Sequence, residues 1–207
     1  MKERRARERE ARRRAILTAT RELVRENGFA GTTTRQIAER CELSEATLFF
    51  YFSSKDEILV SLLGEAADFW ASGLDALADG NGSAGDRLAE VWRFFEEVHQ
   101  EHPEYVYVST YLAQPGSTSA VSEEVLADLA KRTGANFRRL GDLLVGLGGV
   151  DDRRLAADVL WSSFLGLMVL RQGQANLGAP GHPDEHQLPA ALDLLARGFS
   201  SPTSRES

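Results

Sequence analysis

The chain has a single cysteine in 207 residues, Cys41, so no disulfide can form within it and a fold stapled by bridges is excluded. Long apolar runs are missing as well. The longest, Leu155 to Leu170, is interrupted by Asp158, Ser162 and Ser163 and falls short of the ~20 residues that a bilayer-spanning helix needs. The N-terminus is charged throughout and has no apolar core of a signal peptide, so a cytoplasmic protein with no membrane partner is expected. Also lacking are a Gly-rich phosphate loop, a nucleophile elbow and a convergent acid–base set, which leaves neither an enzymatic reading nor a cofactor to assign. His99 and His102 with Glu96, and His182 with Asp184 and His186, are histidine pairs of the kind that commonly occur by chance at helix ends, and no metal site is assigned to them.

Charge is plentiful but segregated. The formal net charge is −7, yet residues 1–40 hold 12 Lys and Arg against 6 Asp and Glu, leaving +6 there and −13 on the remaining 167 residues. A basic head can dwell on phosphate while an acidic remainder is repelled by it, which orients the molecule on a polyanion. Within residues 1–14, Glu3/Arg7, Glu8/Arg12 and Glu10/Arg14 stand four apart in the order that favours helix, so this arm is expected to be either a helical, DNA-contacting extension or a solvated, frayed end.

The stretch from Thr32 to Asp56 organises the rest. Thr33 is placed to cap a helix carrying Ile37, Ala38 and Cys41, and Ser44 to cap a second carrying Leu48 and Phe52. Only Glu42, Leu43 and Ser44 separate the two, and Leu43 can plug the angle between them, which is the spacing of a helix-turn-helix. Ahead of it, Ile16, Leu17, Thr20, Leu23 and Val24 form one face of a helix that stops at Asn27-Gly28, with Phe29 able to pack beneath. Cys41 at an apolar position reads as a small core residue and not as a redox sensor.

Here the pattern becomes specific. G-F-x-x-T-T-x-x-x-I-A followed by L-S-x-x-T-L-F-x-Y-F-x-S-K-D resembles the DNA-binding domain of TetR-family transcriptional regulators over roughly residues 12–60. Gly28, Phe29, Thr33, Ile37, Ala38, Ser44, Thr47, Leu48, Tyr51, Phe52 and Lys55 all fall where that pattern expects them. The chemistry agrees. Glu45, Ala46 and Thr47 would lead a recognition helix into the major groove, with Phe50 able to reach a thymine methyl or a sugar edge. Thr32, Thr33, Thr34, Arg35, Tyr51 and Lys55 are candidates for backbone phosphates, although one of the threonines must also cap. Three residues depart from the pattern. Glu42 stands where the family has glycine, Phe49 where it often has tyrosine, and Glu45 is acidic where the helix faces DNA. A carboxylate there repels phosphate but can accept from a cytosine amino group, which makes Glu45 a candidate for selectivity.

Beyond the head, helices are expected at 56–78, 86–101, 121–147, 151–172 and 188–199, with a loop at 80–85. The segment HPEYVYVSTYLAQPG has strand-like propensity but no partner strand, so it reads as a short helix opened by Pro103. Helix 151–172 is apolar nearly all round and should be buried on both sides, with small Ser162 and Gly166 allowing close approach. The resemblance implies that the last two long helices pair with their copies in a homodimer.

The expected architecture is thus all-α: a three-helix helix-turn-helix head with its arm (1–55), a larger helical effector-binding and dimerisation body (56–200) and a disordered tail (201–207). Most body aromatics should be core. Trp92, Phe95, Tyr107, Tyr111, Phe137 and Trp161 are nonetheless candidates to line a cavity for a small hydrophobic or aromatic effector, since the resemblance implies release from DNA by such a ligand. The expected function is that of a repressor acting on an inverted repeat in double-stranded DNA. The alternative is the same DNA-binding protein without a small-molecule effector, controlled by a protein partner.

Overall fold

The structure, a computed structural model, describes residues 2–78, 84–144, 152–178 and 184–200, and every regular element among them is a helix. In order these are α1 (Lys2–Gly31), α2 (Thr34–Arg40), α3 (Glu45–Tyr51), α4 (Lys55–Ala78), α5 (Ala84–Glu101), α6 (Glu104–Leu112), α7 (Glu123–Leu143), α8 (Arg153–Asn176) and α9 (Asp184–Ser200). The strand-like segment is therefore helical, with Pro103 at the N-cap of α6. The side chain of Phe29, most of the expected loop at 80–85, residues 145–147 of the expected helix, His182 and the 201–207 tail lie outside the described residues.

The chain divides into two compact units, Met1–Asp68 with Glu101–Arg132, and Phe69–Gln100 with Thr133–Ser207. The divisions fall inside α4 and α7 and at the last residue of α5. The first unit has one continuous apolar core in which Ile16 and Val24 of α1, Ile37 of α2, Leu48 and Phe52 around α3, Ile58 and Leu62 of α4, Val108 of α6 and Leu129 of α7 meet. The spacing of α1's buried residues, 16, 17, 19, 20, 23 and 24, is that of a single helical stripe.

Local chemistry sets the short helices. At Gly28 the backbone turns to φ 69° and ψ 174°, a conformation that glycine adopts freely, and this breaks the axis of α1. Thr33 caps α2 reciprocally with Gln36: its hydroxyl oxygen accepts from the Gln36 amide, and the Gln36 side chain accepts from the Thr33 amide at 2.8 Å. Ser44 caps α3 by accepting from the Thr47 amide at 3.1 Å. For α4, Ser54 accepts from the Glu57 amide at 3.0 Å while the Glu57 carboxylate accepts from the Ser53 amide at 2.9 Å.

The second unit is built on aromatic packing. Trp70 lies edge-on to Phe95 (4.7 Å between ring centres) and to Trp161 (5.0 Å), and Phe164 packs against Phe95 (5.3 Å) and Trp92 (5.5 Å). His99 lies edge-on to Phe164 with its Nδ1 buried and without a hydrogen-bond partner. Burial, aided by the charge of Arg171, holds the imidazole pKa below its ordinary value. A depressed pKa contributes stability that is complete above the ordinary histidine pKa of about 6.5 and is lost as pH falls through it. Between roughly pH 7.5 and 5.5 the urea midpoint should therefore fall. His99→Gln should flatten that dependence, which paired denaturation curves will measure.

Candidate nucleic-acid interface

Between α2 and α3 the chain turns in four residues, Cys41 to Ser44. Cys41 ends α2 and its amide donates to Ile37 and Ala38, and the Leu43 amide then returns to the Ala38 carbonyl at 2.8 Å. Leu43 packs against the core as expected. Glu42 sits at φ 56°, and it is the one non-glycine residue in the left-handed region among the described residues. That is the position where the pattern has glycine. Cys41 is half-buried against the core, with its thiol 3.9 Å from the Ala15 carbonyl and burial pushing its pKa up, which keeps it in the thiol form.

The turn fixes which face of α3 looks outward. Leu48 is fully buried and Phe52 nearly so, while Glu45, Ala46, Thr47 and Phe50 are exposed, Phe50 by 68%. An aromatic ring this open on a short helix is costly to hydrate, and among the described residues Tyr51 (5.3 Å, edge-on) and Arg9 (guanidinium 5.6 Å from the ring centre) lie against it. Phe49 is also exposed.

The expected phosphate donors separate into committed and open groups. Thr32 is buried and donates to the Gly28 carbonyl at 2.9 Å, so it serves the fold. Thr33 is the cap. Thr34 donates to Glu45 at 2.6 Å, tying the start of α2 to the start of α3 and occupying one carboxylate oxygen. Arg35, fully exposed, pairs with Glu39 at 2.8 Å, which raises its pKa further. Thr47 shares a hydrogen bond with Ser44 at 2.8 Å. Tyr51 is half-buried against the core, and Lys55, half-buried at the start of α4, has its pKa lowered by burial against the opposing pull of Asp56.

Two arginines that the capping pattern does not reveal also shape this face. Arg13 donates to the Tyr51 carbonyl at the end of α3, stacks 4.0 Å over the Phe52 ring and pairs with Glu57 at 3.9 Å. Arg9, one turn earlier, covers Phe50. The signal that could have found them is the helical phase of the arm, since positions 9 and 13 share a face with buried Ile16.

The expected effector residues are divided between the units. Trp92, Phe95, Phe137 and Trp161 belong to the second, where Phe137 lies 4.6 Å under the Arg154 guanidinium. Tyr107 and Tyr111 belong to the first. Tyr111 donates to Asp56 at 2.5 Å, and burial together with that carboxylate pushes its pKa up to about 12.

A four-residue turn, a capped second helix with an exposed leading face and a basic arm define a helix-turn-helix DNA-binding domain. Residues 16–62 match the family model for bacterial regulatory proteins of the tetR family. The chain is 31% identical over 94 residues to the HTH-type transcriptional regulator RutR of Escherichia coli K12, a match covering 45% of this chain and 44% of RutR, less than half the length of that relative. Its fold is similar to FadR of Bacillus subtilis, solved with stearoyl-CoA (TM-score 0.64, 19% identity, 89% of this chain and 97% of that one). It is likewise similar to AibR, solved with isovaleryl coenzyme A and operator DNA (TM-score 0.61, 18% identity, 91% and 98%).

A side chain at positive φ carries strain on the order of 1 kcal/mol that glycine does not. Glu42→Gly should raise stability by up to about 1 kcal/mol, after the extra freedom glycine has in the unfolded chain is offset. Glu42→Ile, β-branched, should lower it by about 1 kcal/mol or more. Thermal denaturation of the pair reports the difference directly.

Proposed function

We propose that the protein is a transcriptional repressor that binds an inverted repeat as a homodimer and is released by a hydrophobic effector. The observation that carries this reading is the exposed leading face of α3, Glu45, Ala46, Thr47 and Phe50, held by a buried Leu48 and Phe52 behind it. Lys55 at the start of α4 and Tyr51 would grip phosphates, and Glu45, with one oxygen on Thr34, keeps the other available to accept from cytosine.

Dimerisation is supported by α8. One side of this helix is core, with Ala156, Ala157, Leu160, Phe164 and Met168 buried. The other exposes Leu155, Val159, Ser162, Gly166, Val169 and Leu170 at three- and four-residue intervals, an apolar stripe with two small residues at its centre. A second copy of the same stripe is its natural cover. Two heads so joined would read half-sites one DNA turn apart or a multiple of it.

The effector reading rests on the aromatic density of the second unit, with Trp92, Phe95, Phe137 and Trp161 as the proposed lining. Phe95 is fully buried among other rings, so a ligand entering there must displace packed aromatics, and that displacement is the means by which it would shift the population away from the DNA-bound form. FadR and AibR, which share the fold, hold acyl thioesters of coenzyme A, so acyl-CoAs of graded chain length are the first ligands to try.

Footprinting on the DNA flanking the gene should reveal a protected inverted repeat, and addition of the matching acyl-CoA should abolish it. Protection of a single half-site, or none, would count against the dimeric reading. On the protected duplex, Lys55→Ala should weaken binding about equally for all sequences and flatten the salt dependence by roughly one unit per bound protomer. Glu45→Ala should instead relax the preference at one base pair, as scored by selection from a degenerate operator.

A further inference from the structure

The arm at residues 3–14 carries its charges on two different faces. At about 100° per residue, Arg5, Arg9, Arg12 and Arg13 fall within an arc of roughly 100° that also holds the buried Ile16, while Glu3, Glu8 and Glu10 all lie outside it. The carboxylates pair on their own side: Glu8 with Arg4 at 3.4 Å and Glu10 with Arg14 at 3.3 Å. Of the three i, i+4 pairs expected from the sequence, only Glu10–Arg14 is therefore formed, and Glu8 turns back to Arg4 and away from Arg12. Arg5, Arg9 and Arg12 are exposed and have no carboxylate partner among the described residues. Their face is continuous with the recognition helix, because Arg9 lies over the ring of Phe50 and Arg13 is fastened to the Tyr51 carbonyl.

From this we infer that the Arg5/Arg9/Arg12 face of the N-terminal extension is a second DNA-contacting element, one that grips backbone phosphates beside the groove entered by α3. The inference rests on the DNA-binding reading above. It explains why an arm with three glutamates among seven arginines still serves a polyanion. Glu8 and Glu10 neutralise Arg4 and Arg14, which face away, and Arg13 pairs with Glu57, whereas Arg5, Arg9 and Arg12 are left uncompensated on the side of α3; Arg7, on the far face, also has no carboxylate partner among the described residues. An extended row of guanidinium groups suits a phosphate backbone, since each can form charge-assisted, forked hydrogen bonds at successive positions. Such contacts add affinity and register and carry no base information.

The test compares two faces of one helix. The protein first selects a duplex from a random-sequence pool, and binding to that duplex is then measured across a range of salt. Arg5→Ala/Arg9→Ala/Arg12→Ala should flatten the slope of log K against log salt by roughly two to three units per bound protomer, at about 0.9 for each phosphate no longer neutralised, with at least a tenfold fall in affinity near physiological salt. Arg4→Ala/Arg14→Ala, which removes paired charges, should move the slope by less than about half a unit. Alanine favours helix, so circular dichroism should be unchanged; the corresponding triple glutamine variant, which keeps a polar, uncharged side chain of good helix propensity, should repeat the result. Equal effects from the two faces, an unmoved slope in the front-face variant or an altered base preference in it would each overturn the assignment. Wild-type protein that selects no duplex would overturn the DNA-binding reading itself, and the two failures are thereby distinct.

Discussion

A carboxylate with no exposure to water holds the first unit together. Glu104, at the first position of α6, is completely buried, and three cationic or protonatable groups surround it: Arg21 Nε at 3.4 Å, Arg25 Nε at 3.8 Å and His102 Nδ1 at 3.3 Å. A buried charge is tolerated only when such partners offset its lost hydration. Arg21 also pairs with Glu65 of α4, whose own pKa burial pushes up against the pull of that arginine. One network therefore ties α1, α4 and α6. The Tyr111–Asp56 hydrogen bond and the Ser54 hydroxyl, which donates to the Ala120 carbonyl at 2.9 Å, fasten the start of α4 to the same segment. The DNA-binding helices are consequently packed as one body with α6 and the first turns of α7, and any movement of α6 is felt by α1.

That rigidity is what a short recognition helix needs. α3 has only seven residues and would not persist alone, so its orientation depends on Leu48 and Phe52 behind it, the Ser44 cap at one end and Arg13 at the other. The strained Glu42 in the turn is held by the same packing. The arrangement spends side-chain hydroxyls on geometry: Thr32, Thr33 and Thr34 all have internal acceptors or caps.

Much of this was legible in the residues. Caps at Thr33 and Ser44 and the i, i+4 apolar pairs placed α2 and α3, and the want of a partner strand decided α6. Ser54 with Glu57 spells a further cap, at the start of α4, in the same residue code. What could not be read was tertiary. In a run such as His102-Pro103-Glu104-Tyr105, a glutamate reads as surface, and only the approach of Arg21 and Arg25 from a distant helix makes its burial possible. Tyr107 and Tyr111, grouped with the body aromatics by type, belong to the other unit because α6 packs on α1. The arm's two-faced charge was invisible to counting, since the net charge of residues 1–14 says nothing about helical phase.

The three tryptophans, Trp70, Trp92 and Trp161, all lie in the second unit, and the first unit has none. Their rings pack edge-on in the same aromatic assembly as Phe95 and Phe164. Intrinsic fluorescence excited at the indole band is thus an optical label confined by nature to one half of the molecule. A spectral change on adding a small molecule reports the aromatic assembly directly, and the same emission left unchanged while DNA is bound says that the event was confined to the half that carries no indole.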